Sequence, residues 1–373
     1  MYRMGEFFSG PGGMALGARW AAQDLQEMGH DVRIVHEWAN DYDEDTADTY
    51  EANIRPNQFY RGDVRDEARV PIGELTPIQG FAFGFPCNDF SSAGENKGLE
   101  GEFGPLYEKG IEVLDTYNPK WFVAENVTGL LSANSDRALT TIMNAMRNAG
   151  KYGYKLVPHV YRFEEYGVPQ KRRRIIIVGI RGNLPYEFKV PAPPTQDEPL
   201  SVQEAFEKIA PDALHHEMPI HRGAVRERLE LIAPGENAFN AERLQDPRNA
   251  HLRLKVKGAT LSNIYRRLRP DEPSYTVTGS GGGGTHIYHW DAPRALTNRE
   301  RATLQTFPQN FRFSGGPSSI RKQVGMAVPA EGARAIFRAL FLTFEGVKYD
   351  HEKASLGRRT DEFSSFSKAK ATV

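Results

Sequence analysis

The sequence is short of cysteine, of net charge and of long apolar runs, and each shortage excludes a class of protein. Cys87 is the only cysteine in 373 residues, so the chain forms no internal disulfide and needs no oxidising compartment. A lone thiol stays reduced and is available for nucleophilic chemistry, which the count permits without requiring. No apolar stretch approaches the roughly 18 residues that span a bilayer, and no basic-then-apolar leader opens the chain. Both predict a cytoplasmic protein with no membrane partner. Basic and acidic residues number 47 and 48, a formal net charge of -1, so the overall charge does not announce a nucleic-acid binder. There is no internal repeat. His215, His216, Glu217 and His221 crowd together but lack the spaced His or Cys pairs of a zinc site, so they read as polar surface and no metal is predicted.

What is present describes a globular chain of two domains, since 39% of residues are apolar and a domain takes roughly 100–200 residues. Short runs rich in β-branched and aromatic residues, at Arg3–Phe8, Arg33–Trp38, Gly80–Phe85, Trp121–Ala124 and Arg174–Ile180, alternate with helix-like segments. That βαβ rhythm predicts an α/β fold with a Rossmann-like, mostly parallel sheet whose ligands lie beyond the carboxyl ends of the strands. The rhythm breaks at the proline-rich Pro191–Pro194, and an irregular polar stretch follows. Thr297–Leu304 and Ala330–Leu342 read as helices, and the tail from about His351 as frayed. The boundaries drawn are 1–187 plus 318–373 for the sheet domain and 188–317 for a smaller, irregular domain.

Phe8-Ser9-Gly10-Pro11-Gly12-Gly13 follows the first strand and opens a helix, which suits close approach of backbone to a ligand. Alone it also admits a nicotinamide enzyme, with Gly10, Gly12 and Ala15 as a dinucleotide fingerprint. The acids after the next strands narrow the choice. Asp41 is placed to accept from ribose hydroxyls, Tyr42 to cover an adenine, and Asp63, in Gly62-Asp63-Val64, to accept from the adenine amino group. An adenosine without a pyrophosphate fits that set, which favours S-adenosylmethionine. Glu37 and Trp38 form a rival acid–aromatic pair. Cys87 ends the fourth strand in Gly84-Phe85-Pro86-Cys87-Asn88-Asp89-Phe90-Ser91, in a proline-led polar loop where such sheets bind ligands, and Glu125-Asn126-Val127 brings a carboxyl group to the same edge. Each residue has a bland alternative, a buried thiol for Cys87 and a helix cap for Glu125.

Taken together, Phe8–Gly13, Gly84–Ser91, Ala124–Val127, Gln170–Arg174, Arg294–Thr297, Gln305–Pro308 and Gln323–Pro329 make the chain resemble the cytosine-5 DNA methyltransferases, in order along almost its whole length. The resemblance implies Cys87 as the nucleophile, Glu125 as the group that engages the base, and Arg172 and Arg174 as residues holding the site. Arg174 would bind the carbonyl oxygen of the base, and Arg172 would orient Glu125 or a phosphate. It also implies a pocket for S-adenosylmethionine made by Phe8–Gly13, Asp41, Tyr42, Asp63, Val64, Pro86, Leu106, Met326 and Ala327. The partner implied is double-stranded DNA with its target base flipped out, acted on by a monomer, with a cognate restriction endonuclease as a further partner. Three positions depart from the family pattern: Asn88-Asp89, Asn298, and Met326, which stands where asparagine is usual and so removes one side-chain hydrogen bond to the cofactor. A tRNA cytosine-5 methyltransferase and a non-catalytic DNA-binding relative are the alternatives. Charge alone nominates Arg226, Arg228, Arg253, Lys255, Lys257 and Arg266 for phosphate contacts in the second domain.

Overall fold

The computed structural model describes residues 1–86, 106–131, 137–254, 263–279, 281 and 283–356. Seven strands form one sheet: β1 (Tyr2–Phe7), β2 (Ile34–Asp41), β3 (Gln58–Arg61), β4 (Gly80–Phe83), β5 (Trp121–Val127), β6 (Tyr154–Arg162) and β7 (Arg173–Arg181). Their spatial order is β3-β2-β1-β4-β5-β7-β6. The first five run parallel, and β7 is antiparallel to both its neighbours. The mostly parallel sheet predicted from the sequence is the one observed. The chain moves outward from β1 to β3 and then returns to β4 on the other side of β1, so the strand order reverses there. At such a reversal the connections leave in opposite directions and open a crevice at the carboxyl ends.

The strands β4 and β5 read as near-continuous apolar runs because helices cover both faces, and Phe81, Phe83 and Phe122 are wholly buried. Strand β6 escaped the sequence reading because Pro158 and His159 interrupt its apolar pattern; at the sheet's edge it pairs with β7 alone, where a proline costs least. Helix α1 (Gly13–Glu27) packs on α5 (Ala330–Phe344), while α2 (Glu44–Ile54), α3 (Tyr107–Tyr117) and α4 (Arg137–Asn148) complete the layers. The acids between Asp41 and Glu51 are accounted for locally. Asp43 caps α2 by accepting from Thr46 N at 3.0 Å, Glu44 and Asp45 lie in its first turn, and Arg61 gathers Glu44, Asp48 and Glu51. The tail is less frayed than expected, since His351–Glu352 pairs with Val190–Pro191 and Ser355 Oγ accepts from Val160 N at 2.9 Å.

Two compact units result: Met1–Arg162 with Arg173–Pro193 and Ala330–Val373, and Phe163–Arg172 with Pro194–Pro329. The second takes in Phe163–Arg172 and Ser318–Pro329, which the sequence boundaries place with the sheet. It is built of short helices around a small core of Leu229, Ile232, Leu244, Leu252, Tyr265 and Tyr288.

Helices α1 and α5 approach so closely because the contact is made of small residues. A Cβ at Gly17 would lie 2.5 Å from Ala333 Cβ and 2.7 Å from Ala330 O, both on a rigid helix. Overpacking of this kind costs about 1–3 kcal/mol. Gly17→Val is therefore expected to lower the melting temperature measurably, and an unchanged melting curve would show that the two helices are free to move apart.

Candidate active site

The glycine loop turns at the carboxyl end of β1 by placing Phe8, Gly10 and Gly12 at positive φ (53°, 55° and 99°). Three left-handed residues in five reverse the chain at once and start α1 with Gly12 as its N-cap. A Cβ at Gly10 would meet nothing within 4 Å among the described residues, whereas one at Gly12 would strike Ile54 and Tyr50. Asp41 ends β2 with one carboxylate oxygen accepting from Gly10 N at 2.9 Å and the other from Asp43 N at 3.1 Å. Burial raises its pKa, with those backbone bonds opposing the shift. Beside it Tyr42 is 63% exposed. Glu37 lies earlier in β2, holding Asn57 Nδ2 at 3.2 Å, and the Trp38 ring is buried with its Nε1 donating to Thr76 O. The structure thus sets Asp41 and Tyr42 at the loop and commits Glu37 and Trp38 elsewhere.

Asn40, to which the sequence gave no role, ties this edge together. Its Nδ2 donates to Tyr60 O and Gly62 O at 2.9 and 2.8 Å, fixing the turn after β3 that carries Asp63. Asp63 is held by Arg65, which lowers its pKa. Ser9 and Pro11 are buried in the loop, and Val64 and Leu106 send their side chains into the sheet's core.

The second cluster lies where β4, β5 and β7 meet. Glu125 faces Ile176 in the β5–β7 ladder, so Arg174, two residues away on the same face, reaches it diagonally. Arg174 Nε sits 2.9 Å from Glu125 Oε1, and both side chains are about 14% exposed, so the pair is screened from bulk water yet open on one side. Gly84 leaves room for it: a Cβ there would lie 3.2 Å from Glu125 Oε2 and 3.9 Å from Met14 Cε at the start of α1. The two clusters therefore adjoin. Asn126, again without a role in the sequence reading, donates Nδ2 to Phe85 O at 3.1 Å and so pins the segment entering Pro86. Cys87 itself lies outside the described residues. Both asparagines carry one signal that sequence could offer, an amide at the end of an apolar strand.

Arg172 departs from its expected part. It is 1% exposed and belongs to the second unit, where its guanidinium donates to Val277 O, Gly325 O and Ala327 O at 3.0, 3.2 and 3.0 Å. Three bonds to carbonyls make it a positioner of backbone within that unit. Gln170 extends the network, accepting from Val277 N and donating to Leu304 O and Gln305 Oε1. In the same unit Ala327 is buried, and Met326, at the end of helix Pro317–Met326, is 60% exposed. Arg228 is likewise removed from the phosphate candidates, being 8% exposed with Nε donating to Leu252 O and its plane over the Tyr265 ring. Lys255 and Lys257 lie outside the described residues. A cleft of about 390 Å³ in this unit, lined by Phe206, His216, His289, Trp290 and Glu300 among others, contains none of the expected site residues. Among the described residues no cluster of His, Cys, Asp or Glu could hold a metal, and no helix is long and apolar enough to cross a membrane.

A parallel sheet that reverses at β1, with a glycine loop and an acid at successive strand ends, defines an α/β enzyme of the nucleoside-binding, doubly wound kind, here with a carboxylate–guanidinium pair beside the loop. The family described as C-5 cytosine-specific DNA methylase matches residues 2–342. Type II methyltransferase M.BbvI of Brevibacillus brevis is 52% identical over 352 residues, covering 93% of each chain. Type II methyltransferase M.NgoFVII of Neisseria gonorrhoeae is 36% identical, covering 95% of this chain and 90% of its own. Among solved structures, a putative DNA modification methyltransferase encoded within an E. coli prophage superposes with a TM-score of 0.70 at 20% identity, covering 92% of this chain and 100% of that one. The chain belongs to the C-5 cytosine-specific DNA methylases, and it is a DNA (cytosine-5-)-methyltransferase.

One buried carboxyl of this site had no place in the sequence reading. Glu6, in β1, is 1% exposed and accepts from Tyr50 Oη at 2.8 Å. Burial pushes its pKa up to about 8, the Tyr50 bond opposes the shift, and Asp41 adds to it. Between the ordinary value of 4.5 and about 8 the folded chain therefore holds a proton that the unfolded chain has lost. Its contribution to stability is complete below pH 4.5 and declines as pH rises through 8. Glu6→Gln is expected to flatten the fall in melting temperature between pH 5 and pH 8, and identical slopes for the two proteins would show that Glu6 ionises normally.

Proposed function

We propose that the chain methylates a cytosine turned out of double-stranded DNA through a covalent bond between the Cys87 sulfur and carbon 6. The observation that carries this reading is the Arg174–Glu125 pair at 2.9 Å, placed beside the Phe85–Pro86 segment that Asn126 holds and that leads directly into Cys87. Carbon 5 of cytosine is too poor a nucleophile to take a methyl group unaided. Addition of the thiolate to carbon 6 forms a carbon–sulfur bond and moves an electron pair through the ring, which Glu125 accommodates by hydrogen bonding or proton donation at N3. Carbon 5 then takes the methyl group, a base removes its proton, and the carbon–sulfur bond breaks to release the thiolate. Arg174 keeps Glu125 aimed at the ring and offers positive charge to the carbonyl oxygen at position 2.

The residues at the glycine loop fit S-adenosylmethionine. Among the described residues open space lies over Gly10, the Asp41 carboxylate sits beside it to accept from ribose hydroxyls, and the exposed Tyr42 covers the adenine. When bound, this cofactor supplies an electrophilic methyl group on a sulfonium. Asp63 receives the adenine amino group, and Pro86 and the backbone at Val64 and Leu106 line the pocket. A base within a duplex cannot enter such a site, so the target leaves the stack at a cost of a few kcal/mol, and the second unit grips the flanking DNA. The Type II relatives point to a cognate restriction endonuclease as a partner in the same system.

Duplex DNA carrying 5-fluorocytosine tests the chemistry, because fluorine at carbon 5 blocks the final elimination. With S-adenosylmethionine present a denaturation-resistant adduct is expected, and Cys87→Ala should abolish it. Absence of an adduct on DNA that the enzyme otherwise methylates would sink the covalent route. Cofactor binding checks the ribose assignment separately. Asp41→Ala should weaken affinity at least tenfold, about 1.4 kcal/mol, and Glu37→Ala much less; the reverse order would move the contact to Glu37.

A further inference from the structure

We infer that the second compact unit contains a pocket for a phosphodiester of the DNA backbone, formed by Arg301, Arg321 and His286. Arg301, on helix Asn298–Leu304, is 2% exposed, and among the described residues its side-chain hydrogen bond is a long one from Nη2 to His286 Nδ1 at 3.5 Å. That is unlike two other buried arginines of this unit, each of which donates to three carbonyl oxygens: Arg172 to Val277, Gly325 and Ala327 through its two terminal nitrogens, and Arg299 to Leu214, Pro308 and Phe311. Arg321, on helix Pro317–Met326, is partly exposed; its Nη2 reaches Ser318 Oγ at 3.4 Å, and its buried Nε has no partner among the described residues.

The charges around this point have one sign. Burial and then the field of Arg321 lower the pKa of Arg301 to about 10, and burial followed by Arg301, Arg321 and His221 pushes His286 down to about 4. The carboxylate whose field reaches Arg301 is Glu300, and it is already engaged by Arg294 at 2.7 and 2.8 Å and by Thr297 N at 2.7 Å. Tyr275 and Tyr288 supply the remaining polar groups. A buried guanidinium whose neighbouring carboxylate is already engaged, with a second guanidinium beside it, opposes folding until an anion completes the pair. Their planar forks suit phosphate oxygens, and the partly exposed Arg321 and His286 give the side of approach. This inference rests on the reading that the second unit grips DNA.

The full chain is tested by binding fluorescent duplex DNA over a series of potassium chloride concentrations in phosphate-free buffer. Each phosphate contact contributes close to one unit to the slope of log affinity against log salt. Arg321→Met and Arg301→Met should each reduce that slope by about one and weaken binding at low salt about tenfold, while Arg321→Lys restores the slope. Arg301→Met should melt no lower than the parent chain when DNA is absent, since it removes an uncompensated buried charge. Unchanged affinity and slope in both Met variants, with the parent chain binding duplex normally, would overturn the pocket and leave the DNA reading standing. Stabilisation by inorganic phosphate that both Met variants lose, without any change in their DNA slopes, would overturn the DNA assignment in favour of a free anion. A parent chain that binds no duplex at all would overturn both readings.

Discussion

Large rings laid over cross-strand glycines set the register on which the rest of the molecule depends. Gly5 is paired with Trp38, Gly80 with Trp121 and Gly179 with Phe122, and in each case a Cβ on the glycine would fall 2.0 to 2.3 Å from a ring carbon. The contacts bridge β1 to β2, β4 to β5 and β7 to β5, so four of the sheet's six strand junctions are not free to slip once three of them are fixed and β4 is hydrogen-bonded to β1. A slip of one residue would drive each ring into a side chain and turn a buried face outward. Function follows from that register. Asp41 reaches the glycine loop, and Glu125 reaches Arg174 on the diagonal, because these strands end where they do.

The same constraint explains how much of the fold could be read in the sequence. Strands β1, β2, β4, β5 and β7 announced themselves as runs of β-branched and aromatic residues, which a parallel sheet buried on both faces requires. The glycines that seat the rings carry no such signal, because a glycine in a strand reads as weakness until its partner across the ladder is known. Strand β6, with Pro158 inside it, and the pairing of Val190–Pro191 with His351–Glu352 were hidden for a related reason. Their stability comes from partners distant in sequence, and proline and polar residues locally argue against them.

The site was legible where a residue's chemistry demands an unusual position and illegible where it serves another residue. Gly10, Gly12, Asp41 and Glu125 stand at strand ends with groups that have no business in a core. Asn40 and Asn126 stand at strand ends as well, but an amide there reads as an ordinary cap, and its partners Gly62 and Phe85 reveal its use only in three dimensions. Arg172 is the opposite case. Its place in an ordered motif marked it for the chemistry, while in the structure both its terminal nitrogens donate to backbone carbonyls.

That difference between Arg172 and Arg174 bears on how a nearly neutral chain handles a polyanion. In the second unit regular ladders are few, so backbone carbonyls left by short helices and loops need donors, and buried guanidinium groups provide them at Arg172, Arg228, Arg267 and Arg299. Such arginines add to the basic count and contribute nothing direct to a DNA surface. Counting charge therefore overstates the binding face, and position in a basic cluster does not correct it, since Arg267, in the run Tyr265-Arg266-Arg267-Leu268-Arg269, is 6% exposed. What separates a structural arginine from one kept for a ligand is whether its nitrogens already have oxygen partners. By that criterion Arg299 and Arg301, two residues apart on one short helix, belong to different classes.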